Sequence, residues 1–155
     1  MPSVASPTES ELDFASQLRV AIGKLSRHLR QTAAATSAGL TPTGVSVLLK
    51  VDRLGPIRLS EVAADEGLNP TMLSRVVADL ADADLVIRRS DPGDRRSAWL
   101  EATARGRRLA KAMRRERTAA VNAALEGLAT DDRRRIEKAL PALEALAAEL
   151  RELRR

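Results

Sequence analysis

Apolar positions recur along the chain at helical spacing, and the recurrences are separated by short punctuation. Residues 1–9 are a Pro/Ser/Thr tail, expected to be mobile. From Leu12 an amphipathic helix is predicted, with Ala15, Leu18, Ile22, Leu25 and Leu29 alternating three and four apart. That spacing makes a narrow seam suited to another helix. The pattern dissolves in QTAAATSAG, where Gly39 ends the helix or sits in the connection. Thr41 followed by Pro42 marks a second start, a hydroxyl cap and a first-turn proline. Val45, Leu48, Leu49 and Leu54 are this helix's expected buried face, and it stops at Gly55-Pro56.

Ile57-Arg58-Leu59 suits one short strand, and Ser60 caps a brief helix with Val62 and Ala63 inward and Gly67 at its end. Asn69-Pro70 then opens a fourth helix, running to about Asp84. Its Leu73, Val76, Val77 and Leu80 share one face; Thr71, Ser74, Arg75 and Ala78 share another. Two helices joined by a tight Gly-containing turn form a helix-turn-helix. LVIRR, the turn DPGD and SAWLEA read as a hairpin. Thr103 caps a long helix, and Thr130 opens a last one carrying Ile136, Leu140, Leu143, Leu146 or Ala147, Leu150 and Leu153. Pro141 lies inside that last seam and is expected to kink the helix or split it. The fold class is mainly α: a winged helix-turn-helix with a small β-hairpin wing.

Composition narrows what such a fold does. The 155 residues carry a net charge of +5, a sign that favours a polyanionic partner. Aromatic residues are limited to Phe14 and Trp99, and stacking of single-stranded bases depends on aromatic rings, so duplex DNA is the better match. No cysteine is present and His28 is the one histidine, which excludes thiol redox sensing, disulfides and thiolate metal sites. No cofactor or metal is expected. An enzyme is disfavoured, because neither a nucleophile–base pair nor a Gly-rich phosphate loop is present. No stretch approaches the roughly 18 apolar residues of a membrane span, and the first residues lack a secretory pattern. A cytoplasmic location, away from any membrane, is the expectation.

The candidate chemistry lies on the fourth helix and the hairpin. A helix fits the major groove and reaches base edges with its N-terminal residues, here Asn69, Thr71, Met72, Ser74 and Arg75. An arginine forks onto guanine, hydroxyls bond bases or phosphates, and Met72 or the Thr71 methyl touches a thymine methyl. The hairpin carries Arg88 and Arg89 on its first strand and Arg95 and Arg96 at its turn. Arginines at such a tip suit the minor groove, where the potential is most negative. Asp94 is unhelpful against phosphate, so its expected role is to hold a wing arginine. Residues 86–117 hold eleven Lys/Arg against four Asp/Glu, whereas residues 40–84 hold four against seven. The positive field thus comes from the wing and the following helix. There Arg105, Arg107, Arg108, Arg114, Arg115 and Arg117 read as a solvated face supplying general attraction.

On Leu59-Ser60, Asn69-Pro70-Thr71, Ser74-Arg75, Asp94-Arg95-Arg96 and Thr103 to Gly106, the chain resembles the MarR family of bacterial regulators. The resemblance implies a homodimer on a palindromic operator, acting as a repressor that a small aromatic or phenolic effector relieves. Residues 10–38 and 104–155 would form a helical dimerisation domain, with Leu18, Ile22, Leu140, Leu143, Leu146 and Leu150 at the interface. Residues 41–103 would be the DNA-binding domain. An effector pocket between the two would lie near His28, Leu49 and Met113. Asp82 and Asp84 stand where relatives often carry basic residues, so phosphate contacts from that end are not expected. The alternative is a nonspecific architectural DNA-binding protein, which would share the basic wing but not the sequence preference.

Overall fold

A computed structural model describes residues 9–90 and 98–153. The element order is α1 (Glu9–Arg30), α2 (Ala33–Ser37), α3 (Pro42–Leu54), β1 (Ile57–Arg58), α4 (Leu59–Glu66), α5 (Pro70–Asp82), β2 (Val86–Ser90), β3 (Ala98–Ala102), α6 (Ala104–Glu126) and α7 (Thr130–Glu152). The three strands form one antiparallel sheet in the order β1-β3-β2. Ile57 pairs with Leu100, and Val86 with Ala102.

Local chemistry sets most of the helix starts. The Thr41 hydroxyl accepts from Gly44 N at 3.1 Å and the Asn69 side chain from Met72 N at 2.8 Å, each satisfying an orphan first-turn N–H ahead of a proline. Gly67 ends α4 in the left-handed conformation, with φ of 64°. Three features differ from the expected pattern. The segment after α1 contains a further short helix, α2, capped by Thr32 and braced by the Glu116 carboxylate, which accepts from Ala34 N at 3.2 Å. Helix α4 begins at Leu59 with no side-chain cap from Ser60, because the strand β1 runs straight into it. Helix α7 continues through Pro141 as one helix. The residues around Pro141 are exposed in the chain, and the proline has no N–H to offer the carbonyl of Glu137.

The chain divides into two units, residues up to Arg117 and residues from Thr118 onward, with the boundary inside α6. The core of the first unit is built on α3, whose Val45, Val47, Leu48 and Val51 are buried. Around them pack Val62, Leu73, Val77, Leu80, Leu100 and Met113, each 3% exposed or less. Burying each such side chain contributes about 1.5–3 kcal/mol. The buried stripe of α3 thus runs through Val47 and Val51 rather than to Leu54, which is 47% exposed at the helix end. In the second unit α7 has no buried residue.

Candidate nucleic-acid interface

The first candidate element is α5, and its geometry follows from its own two-faced sequence. Leu73, Val77 and Leu80 enter the core, fixing the helix by its inner stripe. The opposite face then presents Thr71, Met72, Ser74 and Arg75 to solvent in its first two turns, with Asn69 at the cap. Asn69 spends its Oδ1 on the cap and keeps its NH2 group as a donor.

The wing follows directly. Its inner face is Val86, Ala98, Leu100 and Ala102, all buried, so alternation sends Ile87, Arg89, Trp99 and Glu101 outward. Arg88 and Arg89 are both exposed on β2. Arg89 is held across the strands by Glu101, Nε to carboxylate at 3.5 Å. Asp94, Arg95 and Arg96 lie outside the described residues. Beside Arg89, Trp99 also has Arg58 of β1 as a cross-strand neighbour, its guanidinium 5.0 Å from the indole centroid. This stacked pair was not legible in the sequence, because 41 positions separate two residues that only the sheet register brings together.

The start of α6 anchors both elements. The Thr103 hydroxyl donates to Asp84 O at 2.7 Å and accepts from Gly106 N at 2.8 Å. Arg105 donates to Ala83 O at 2.8 Å, just past the end of α5, and Arg107 to Ala102 O at 2.6 Å at the end of β3. Farther along, Arg114 pairs with the Asp52 carboxylate of α3 at 2.6 Å. Three of the six arginines expected to be a solvated face are therefore structural clamps. Their partners are mainly backbone carbonyls left free at element ends, which no charge count reveals.

A second site lies within the first unit, a cleft of about 540 Å³ between α1, α3, the end of α4 and α6. Of the residues expected near an effector, Leu49 lines it. Met113 is fully buried in the core, and His28 is exposed on α1 outside the cleft lining. The expected interface residues are accessible: Ile22, Leu140, Leu143 and Leu150 are exposed, and Leu18 and Leu146 half-buried. Among the described residues no metal-binding cluster is present, and no helix is long and apolar enough to cross a membrane.

The comparisons with known proteins agree with this architecture. The family model described as the MarR family matches residues 40–98, from the start of α3 into β3. An HTH-type transcriptional regulator of Mycobacterium bovis is 32% identical over 109 residues, covering 70% of this chain and 75% of that protein. Among solved structures, RV1404 from Mycobacterium tuberculosis superposes with a TM-score of 0.78 at 22% identity, over 92% of this chain and 97% of that one. The structure of NadR gives 0.69 at 21% identity, over 97% of each chain. At those identities the two structures establish the winged-helix fold alone. Together with the family match and the mycobacterial relative, they show that this chain belongs to the MarR family of DNA-binding transcriptional regulators, and that it is not an enzyme.

Proposed function

We propose that this chain is a homodimeric, sequence-specific repressor of the duplex-DNA-binding class, released from its operator by a small-molecule effector. The observation that carries the reading is the exposed first two turns of α5, held over Leu73, Val77 and Leu80 and followed at once by a basic hairpin. Arg75 forks onto a guanine edge, Ser74 and Asn69 donate to bases or phosphates, and Thr71 and Met72 meet thymine methyls. Arg88, Arg89, Arg95 and Arg96 place positive charge along the adjoining minor groove, with Asp94 orienting one of them. Residues 41–103 form the reading head. Residues 10–38 and 104–155 form the dimer, and a two-fold dimer matches a palindromic operator. The apolar stripes left exposed on α1 and α7, each with several large side chains over a third accessible, support that pairing. The effector has support from NadR, whose structure holds 4-hydroxyphenylacetate, and from the cleft beside Leu49.

Fluorescence anisotropy on duplex from upstream of the chain's own gene, with random duplex as competitor, tests the reading. A site-specific regulator retains the labelled duplex against about a thousandfold excess of random DNA. If random DNA displaces it one for one, and a genome-wide selection of bound fragments returns no preferred sequence, the architectural alternative replaces this reading.

A further inference from the structure

The cleft's charge is out of proportion to its size. Five of its thirteen lining residues are basic, namely Arg30, Lys50, Arg53, Arg114 and Arg117, and one, Glu66, is acidic. The carboxylates within reach engage two of the five. Lys50 Nζ lies 2.9 Å from Glu66 and 3.1 Å from Asp65, and Arg114 is taken by Asp52. Among the described residues Arg30, Arg53 and Arg117 form no ion pair. Arg117, which lines the cleft, in addition has a buried Nε with no hydrogen-bond partner. A buried donor left unmade costs free energy that a bound acceptor recovers, and guanidinium groups match carboxylate and phosphate oxygens. Neither Phe14 nor Trp99 lines the cleft, so it offers no aromatic side chain for a ring to stack on.

Taking the cleft as the effector site, which rests on the reading above, we infer that its ligand is a small, multiply charged anion. It is recognised by its carboxylate or phosphate groups rather than by an aromatic ring. The same geometry says how such an anion acts on DNA binding. Glu66 is the last residue of α4, three positions before the cap of α5, and is tied to α3 by Lys50 and by the Ser46 hydroxyl at 2.5 Å. An anion among the arginines competes for Lys50 and repels Glu66. It thereby loosens the turn that positions the reading helix, and reciprocity requires that DNA weaken the anion in return.

The test is calorimetric titration of the full chain at about 0.15 M salt with citrate, with pyrophosphate, and with salicylate as a singly charged aromatic acid. At least one polyanion is expected to bind about tenfold more tightly than salicylate. Arg117→Gln and the exposed Arg30→Gln are each expected to weaken it about tenfold, with Arg134→Gln, exposed on α7 and outside the cleft lining, unchanged. The citrate and pyrophosphate arms separate a carboxylate from a phosphate ligand. Tighter binding of salicylate, no binding of either polyanion, or equal binding by both cleft variants overturns the anion site. Arg30→Gln keeps the test meaningful if Arg117→Gln does not fold. In a separate arm, the polyanion weakens operator binding by the wild-type chain but not by Lys50→Gln. An anion that binds yet leaves DNA affinity untouched overturns the effector reading while the anion site stands.

Discussion

Gly106→Ala is expected to destabilise the first unit although it replaces a poor helix former with the best one. Gly106 lies in the first turn of α6, against the segment joining α5 to β2. A Cβ built there falls onto the carbonyl oxygen of Leu85, with the carbonyl carbon at 2.9 Å and Leu48 Cδ1 at 3.3 Å. The obstacle is backbone, and it is pinned. Leu85 N donates to Leu80 O at 2.8 Å, Leu85 O accepts from Thr103 N at 3.1 Å, and the Leu85 side chain is 1% exposed. Overpacking a core ordinarily costs about 1–3 kcal/mol, and an obstacle that cannot rotate away puts this case at the upper end. The helix-propensity gain of up to about 1 kcal/mol offsets part of that, leaving a net loss of about 2 kcal/mol. Gly23, in the middle of α1, is the internal control: a Cβ there meets nothing within 4 Å. Gly23→Ala should therefore stabilise by up to about 1 kcal/mol. Urea unfolding followed by circular dichroism, at one fixed protomer concentration because the proposed dimer would add to apparent stability, reads both. If both alanines raise the midpoint alike, intrinsic propensity governs and the close approach at Leu85 is not real.

The remaining predictions concern the site and the interface. Arg75→Ala is expected to cost about 1–3 kcal/mol on the operator and little on random duplex; equal losses on both, by anisotropy, count against base reading. Arg95→Ala combined with Arg96→Ala should weaken binding to every sequence and flatten its salt dependence, and an unchanged salt slope argues against phosphate or groove contact. Asn69→Ala removes the cap of α5 and is expected to cost about 1 kcal/mol of stability in the same urea experiment. Leu143→Glu places a charge on the exposed stripe of α7, and sedimentation should show it shifting dimer to monomer while the circular dichroism spectrum keeps its helical content.

What the sequence determined by itself was whatever depends on near neighbours. Thr41-Pro42 and Asn69-Pro70 announce the starts of α3 and α5, because a cap bond spans three residues and needs no tertiary partner. Gly67 announces the end of α4 for the same reason, and SAWLEA reads as a strand, which β3 is over Ala98–Ala102. Since α5 carries its polar residues at helical spacing opposite its apolar ones, the candidate reading face was also legible, from Thr71 to Arg75.

Tertiary structure decided how charges are used. Arg105, Arg107 and Arg114 look alike in the sequence, yet the first two hold backbone carbonyls of Ala83 and Ala102 and the third holds Asp52. Arg117, three residues beyond Arg114, is left with a buried unpartnered nitrogen instead. A guanidinium bonds whatever acceptor the packing brings within reach, so its role follows from contacts 5 to 62 residues away in the chain, not from its neighbours. Met113 and Leu49 differ for the same reason: both are apolar helix residues, but the core closes over one and leaves the other at a cleft wall. Periodicity says which side of a helix is apolar; only the packed neighbours determine where that side meets core and where it meets open space.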